Sequence, residues 1–461
     1  MAKLPGNLGE SPCRARYCFL LRYLAVNHFF GEQLEPMTNQ VDQPKASSLP
    51  WGIRTFNYLG NGLRRLGIHK KLDADGLMAA ARKSTGLQDF GEANFEEPFR
   101  LVTADLQATA NPTPFGRNCL ERILQQHLVN RLLLTAAWQR HPEALQLEIV
   151  KPLYVVGMPR TGTTLLYNLL CQDPQARPLM IWEAMYPALS AADEQPGRSD
   201  PRPQRIRNGL KLIQYLTPGL QKIHPMYPDG PEECGWLMSN DFISQMFFLN
   251  GPIPRYEAYF RNVGDARLEA TYRYYRRQLQ LLQFRDGVAA TGGKPARHWV
   301  LKSPVHQTTL LPLMTVLDSA NVVQTHRNPR DVVASCCSLF ATLRQLVAGD
   351  FEPRRIGPEI LERMEYSVQQ AQRAEAAFPD RLTNVLYDQL VSDPIGTVRH
   401  IYERFGYDYT PALEDGMRRW LAANPRNKFG AHHYDLAQFG LSSVDVDARL
   451  GSYWARVSAG G

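Results

Sequence analysis

Residues 154–170 hold the strongest chemical signal in the chain. In Gly157-Met-Pro-Arg160-Thr161-Gly162-Thr163-Thr164, one guanidinium and three hydroxyls cluster around two glycines in a G-x-x-x-x-G-T-T run. Glycines let a backbone approach an anion, the first amides of a helix point at it, and hydroxyls add donors. The spacing is that of a phosphate loop except that Thr163 stands where the usual lysine would be. Amides alone would under-compensate a dianion, so Arg160 is the natural source of positive charge. A nucleoside-triphosphate site would also want a strand-end aspartate for magnesium. The other readable strands, His298–Lys302 and Asn321–His326, end instead in basic residues. The chemistry expected is phosphate binding without a metal.

The elements that must position this loop are legible on both sides of it. Leu153 to Val156 is a short apolar run of the kind that forms a buried parallel strand, and Leu165, Leu166, Leu169 and Leu170 recur at helical spacing. A second strand delivers Lys302 and then His306 toward a loop at its carboxyl end, where open α/β sheets bind ligands. A leucine-rich crossover (310–317) and the strand Asn321–Thr325 follow, which implies a parallel, right-handed unit. In His326-Arg327-Asn328-Pro329-Arg330-Asp331, Asn328 suits an N-cap, Pro329 the first helical position and Asp331 the positive end of the dipole. Ser335 then lies two turns beyond Arg327, on a face that can look back toward it.

With 461 residues and 44% hydrophobic content the chain can bury a large core. The formal charge of +7 fits a polyanionic small ligand, and equally nucleic acid or an anionic membrane surface. Seven scattered cysteines without C-x-x-C spacing read as reduced thiols, so a cytoplasmic location is expected. No apolar run reaches the roughly 20 residues of a membrane span. Arg22 interrupts the segment Tyr17–Val26, which makes a poor signal peptide.

Residues 1–50 read as a weakly ordered extension, and 51–148 as a helical region packing on the core. Asp73 and Gly86 bound one of its helices. Another, at 117–139, has Leu120, Leu124, Leu128 and Leu132 on one side and Arg122, Gln125 and Arg131 on the other, with the apolar face expected on the sheet. Residues 149–461 form the main domain. The basic stretch 193–211 reads either as a lid or as a solvated loop leading into a helix, with prolines through Pro203 keeping its first half irregular. Glu232 and Glu233, within His224–Asn240, lie either at an acceptor pocket or on a helix surface.

Taken together, the anchors resemble the sulfotransferases that use 3′-phosphoadenosine-5′-phosphosulfate (PAPS). That family pairs P-[KR]-[ST]-G-T-T, here Pro159 to Thr164, with R-N-x-x-D-x-x-x-S, here Arg327 to Ser335. Its bacterial-type branch also carries W-x-L-K-S-P-x-H, matched at Trp299 to His306, and H-x-Y-x-L-x-x-F-G-L, matched at His432 to Leu441. Tyr387-Asp-Gln-Leu and Asp393-Pro fit its later part, and the likeness runs over roughly residues 60–457.

The resemblance implies a three-layer, P-loop-like α/β fold: a central parallel sheet flanked by helices, plus an N-terminal helical region. It implies that Arg160, Thr161, Gly162, Thr163 and Thr164 bind the 5′-phosphate of PAPS, and Arg327 and Ser335 the 3′-phosphate. The reaction implied is in-line sulfuryl transfer, without metal, to a hydroxyl or amine of a small-molecule, lipid or glycan acceptor. Arg160 and Lys302 would stabilise the departing oxygen. The base would be His306, preferred here, or Glu183 beside Trp182, although Pro304 rather than His306 falls two residues after the lysine. No nucleic-acid partner is expected, and the sequence leaves the oligomeric state open. Two other classes stay on the table: a small-molecule kinase, requiring magnesium, and a non-catalytic nucleotide- or nucleic-acid-binding protein.

Overall fold

The structure is a computed structural model that describes residues 49–68, 71–216, 225–289, 298–348, 352–425 and 435–459. The expected N-terminal extension, apart from residues 49 and 50, therefore lies outside the described residues, as do His224, His432 and Tyr434.

Five parallel strands make one sheet: β1 Leu153–Gly157, β2 Ala176–Pro178, β3 His298–Lys302, β4 Asn321–His326 and β5 Leu382–Leu386. Their order is β2-β3-β1-β4-β5. Every residue of β1, β3 and β4 is buried, because helices cover both faces and leave no solvent side to encode. Alternate residues feed two different cores. Tyr154, Val156, Trp299, Leu301 and Val322 pack with Tyr272, Tyr275, Leu279, Leu310 and Leu313. Leu153, Val155, Val300 and Val323 pack with Leu166, Leu169, Leu170, Ile401 and Tyr402. That alternation is what makes the three layers.

The helix at 114–140 corrects one expectation. Its leucines Leu120, Leu124, Leu128 and Leu132 are fully buried, but against Phe95, Phe99, Val102, Leu106, Phe242 and Phe247, a cluster that contains no strand residue. Periodicity defines which face is apolar, not what covers it. Arg131, assigned to the polar side, is also buried. Its guanidinium lies between the rings of Phe95 and Tyr274, at 4.2 and 4.6 Å, and bonds Asp241 at 3.0 Å. A buried charge demands such a partner, and here the partner comes from a segment 110 residues away in sequence.

The stretch 193–211 is a loop leading into the helix Arg202–Leu216. Pro203 lies inside that helix's first turn, where a missing amide hydrogen costs nothing. The stretch's cations find local acids: Arg202 with Asp200 at 2.7 Å, Arg205 with Asp193 at 3.8 Å and Arg207 with Asp229 at 3.0 Å.

Candidate active site

The carboxyl end of β1 lies between β3 and β4, and the phosphate loop leaves from there. Gly157 has φ 142°, and a Cβ on it would meet the Thr325 carbonyl at 2.6 Å, so β4 can lie against the loop only with glycine at this position. Thr161 closes the turn. Its hydroxyl donates to the Met158 carbonyl at 2.7 Å and shares a hydrogen bond of 2.6 Å with the Thr325 hydroxyl. That hydroxyl is turned into the protein, so it shapes the loop rather than facing its mouth. Arg160 is exposed and adopts φ 74°, a left-handed conformation that a non-glycine residue holds only where its surroundings impose it. Gly162, at φ 95°, caps the helix Thr163–Leu170, in which Thr164 is exposed and Thr163 buried. The amides opening that helix stand where the sequence leads one to expect an anion.

On the β4 side, the helix Pro329–Val347 begins as expected, with the Asn328 side chain accepting from the Arg330 amide at 3.1 Å. Arg327 is half-buried, 3.4 Å from Asp331. Its guanidinium lies 4.5 Å from the centre of the Tyr387 ring. The same ring approaches Gly162 so closely that a Cβ there would meet it at 3.0 Å. Tyr387 therefore ties the phosphate loop to Arg327, a role its motif match alone did not reveal. Its position directly after the carboxyl end of β5 was the available signal. Ser335 contributes a buried hydroxyl without a hydrogen-bond partner among the described residues. Buried hydroxyls are normally paired, so an unpaired one eight residues beyond Arg327 stands out. Next to it, burial pushes the Cys336 thiol up to about 12, while Arg363, Arg160 and Arg344 pull the other way.

On the β3 side, Lys302 is buried, with Nζ 2.8 Å from Oε1 of Glu233 and 6.0 Å from the centre of the Tyr167 ring. Burial alone would lower this ammonium, but Glu233 and then Glu232 outweigh it and leave the pKa above its usual value. The second oxygen of Glu233 accepts from the Ser303 hydroxyl at 3.0 Å. Residues 232–235 are pressed onto the end of β3, the Cys234 amide bonding the Lys302 carbonyl at 3.0 Å. A Cβ on Gly235 would meet the Ser303 hydroxyl at 2.6 Å. Glu233 keeps 13% of its side chain exposed, which makes it the accessible carboxylate of this cluster.

The structure buries both sequence candidates for the base. The turn Pro304–Thr309 folds His306 back beneath the sheet end, where it is fully buried. Both ring nitrogens are engaged, Nδ1 with the Tyr272 hydroxyl at 2.8 Å and Nε2 with Cys234 Sγ at 3.1 Å. Burial pushes its pKa down to about 3. Such a ring is a neutral core residue without a free nitrogen for an incoming proton. Glu183 is buried, with both oxygens 2.5 Å from the Arg177 guanidinium and one also accepting the Met180 amide at 3.0 Å. Arg177 in turn binds Asp286 at 2.8 Å and stacks on Trp299 at 4.1 Å. Glu183 thus closes a structural network at the start of the short helix Ile181–Met185.

A glycine loop at the carboxyl end of a central strand of a five-stranded parallel sheet is a specific geometry, and a family model described as "Sulfotransferase family" matches residues 152–411. The chain belongs to the sulfotransferase family. This sulfotransferase aligns at 29% identity with the crystal structure of sulfotransferase STF1 from Mycobacterium tuberculosis H37Rv. The alignment covers 83% of this chain and 100% of that one, with a TM-score of 0.71. Sulfotransferase STF9 from Mycobacterium avium gives 28% identity, 84% and 97% coverage and a TM-score of 0.72. A curated relative, omega-hydroxy-beta-dihydromenaquinone-9 sulfotransferase Stf3 of Mycobacterium bovis, is 24% identical over 62% of this chain and 71% of its own length. The sulfotransferase fold expected from the sequence is thus the fold observed. Among the described residues, no group of three or more His, Cys, Asp or Glu side chains converges as metal ligands would.

Proposed function

We propose that the enzyme transfers the sulfuryl group of PAPS to the hydroxyl of a lipid-like acceptor, with Glu233 as the base. The observation that supports the nucleotide assignment is the Tyr387 ring, which lies beside both Gly162 and the Arg327 guanidinium. Ser335, with its unpaired buried hydroxyl, fits the same 3′-phosphate as Arg327. The amides of 162–164 and the Arg160 guanidinium would take the 5′-phosphate.

PAPS would supply the sulfuryl group. A sulfur–oxygen bond forms to the acceptor oxygen as the bond to the bridging phosphate oxygen breaks, and adenosine 3′,5′-bisphosphate leaves. Lys302 is poised for two states. Without an anion beside it, it neutralises Glu233. An anion near Nζ competes for the ammonium, and a carboxylate that loses its cation becomes more basic. Glu233 would then accept the acceptor's proton as Lys302 and Arg160 offset charge on the departing oxygen. The acceptor class rests on the Stf3 relative, which by name acts on a hydroxylated menaquinone derivative.

Purified protein incubated in EDTA with PAPS and a long-chain primary alcohol should yield, by mass spectrometry, a product heavier by one SO₃ unit. The kinase alternative predicts instead magnesium-dependent phosphorylation from ATP, with no sulfated product.

A further inference from the structure

The helix Trp51–Arg65 is attached to the protein inside out. The face it turns inward carries Ile53 but is otherwise polar or small: the Asn57 side chain accepts from the Phe115 amide at 2.9 Å, and Arg64 donates to the Asn111 side chain at 3.0 Å. Gly60 lies so close to Pro114 that a Cβ would meet the ring at 2.6 Å. None of the helix's residues is fully buried. At about 100° per residue, Trp51, Tyr58, Leu59 and the following Leu66 fall within one stripe about 100° wide, on the side opposite Asn57, Gly60 and Arg64. The exposures of Trp51, Tyr58 and Leu66 are 73, 79 and 75%, so the apolar side of an amphipathic helix is directed outward.

Charge decides what such a ridge fits. From Trp51 to Leu72 the sequence carries Arg54, Arg64, Arg65, Lys70 and Lys71 and no acidic residue. On the helix, Arg54 and Arg65 flank one edge of the apolar stripe, and both are exposed. An apolar ridge with Trp and Tyr on it and cations beside it is the composition of a helix lying in a membrane interface. Among the described residues no helix is long and apolar enough to cross a membrane, so attachment through this helix would be peripheral.

We propose that the helix Trp51–Arg65 seats the enzyme on an anionic lipid surface, with Trp51, Tyr58, Leu59 and Leu66 entering the interface and Arg54 and Arg65 against lipid phosphates. The lipid readout is independent of turnover, so it fails or succeeds apart from the sulfuryl-transfer reading. Full-length protein is floated with vesicles of phosphatidylcholine, with and without phosphatidylglycerol. Binding to the anionic vesicles alone is expected. The variant Tyr58→Asp, Leu59→Asp, Leu66→Asp should lower that partition about tenfold or more, and Arg54→Glu with Arg65→Glu should also lower it. Affinity for adenosine 3′,5′-bisphosphate should stay unchanged in both, which shows that they fold. No flotation with either vesicle, or flotation equal for wild type and the aspartate variant, would overturn the proposal. So would a wild-type dimer that becomes monomeric in the aspartate variant without any vesicle binding, since the ridge would then be covered by a second copy.

Discussion

Arg327→Ala should weaken binding of adenosine 3′,5′-bisphosphate by about a hundredfold, measured by isothermal titration, while leaving adenosine 5′-phosphate within about twofold. Hydrogen bonds to a charged group contribute about 1.5–3 kcal/mol each, and a guanidinium can offer two to one phosphate. The selectivity matters more than the loss. Arg327 lies against the Tyr387 ring, and that ring in turn lies beside Gly162 of the phosphate loop. Its removal should thus be felt by the 3′-phosphate and not by the 5′. The substitution should be tolerated by the fold, because Arg327 is half-buried and its ion-pair partner Asp331 is exposed. Equal loss for the two nucleotides would mean that Arg327 shapes the crevice instead of reading a phosphate.

The second large effect concerns the base. Glu233→Gln keeps the shape of the side chain and removes its charge, so kcat should fall about 10²- to 10⁴-fold, the usual contribution of a positioned general base. Binding should move the opposite way. Lys302 then lacks the carboxylate 2.8 Å from its ammonium, so it is available to an anionic nucleotide, and affinity for adenosine 3′,5′-bisphosphate should hold or rise. A purely structural role for the pair predicts joint loss of binding, stability and turnover. A kcat within about threefold of wild type would remove Glu233 from the proton-transfer step.

The frame of the site could be read from the chain because its three central strands are buried on both faces, which writes them as short apolar runs. The edge strands were not legible. β2 is three residues, Ala-Arg-Pro, none fully buried, and β5 mixes buried Leu382 and Val385 with exposed Asn384. The loop glycines, the Asn328 cap and Arg327 were legible because each answers a local backbone or charge requirement. What escaped was tertiary pairing. Glu233 meets Lys302 across 69 residues and Arg131 meets Asp241 across 110, separations that no local pattern records. His306 looked available because a strand tip points toward ligand. The turn after Pro304 instead directs its ring into a pocket lined by Tyr154, Tyr272 and Tyr275.

The central claim is that one adenine nucleotide spans the loop at Gly162 and the pocket of Arg327 and Ser335. A crystal structure with adenosine 3′,5′-bisphosphate bound in EDTA tests it most directly. The account predicts the 5′-phosphate on the amides of residues 162–164 and the 3′-phosphate on the Arg327 guanidinium, with Ser335 donating its hydroxyl. A 3′-phosphate lying in solvent, with Arg327 still on Asp331 and the Ser335 hydroxyl still unpaired, would contradict it.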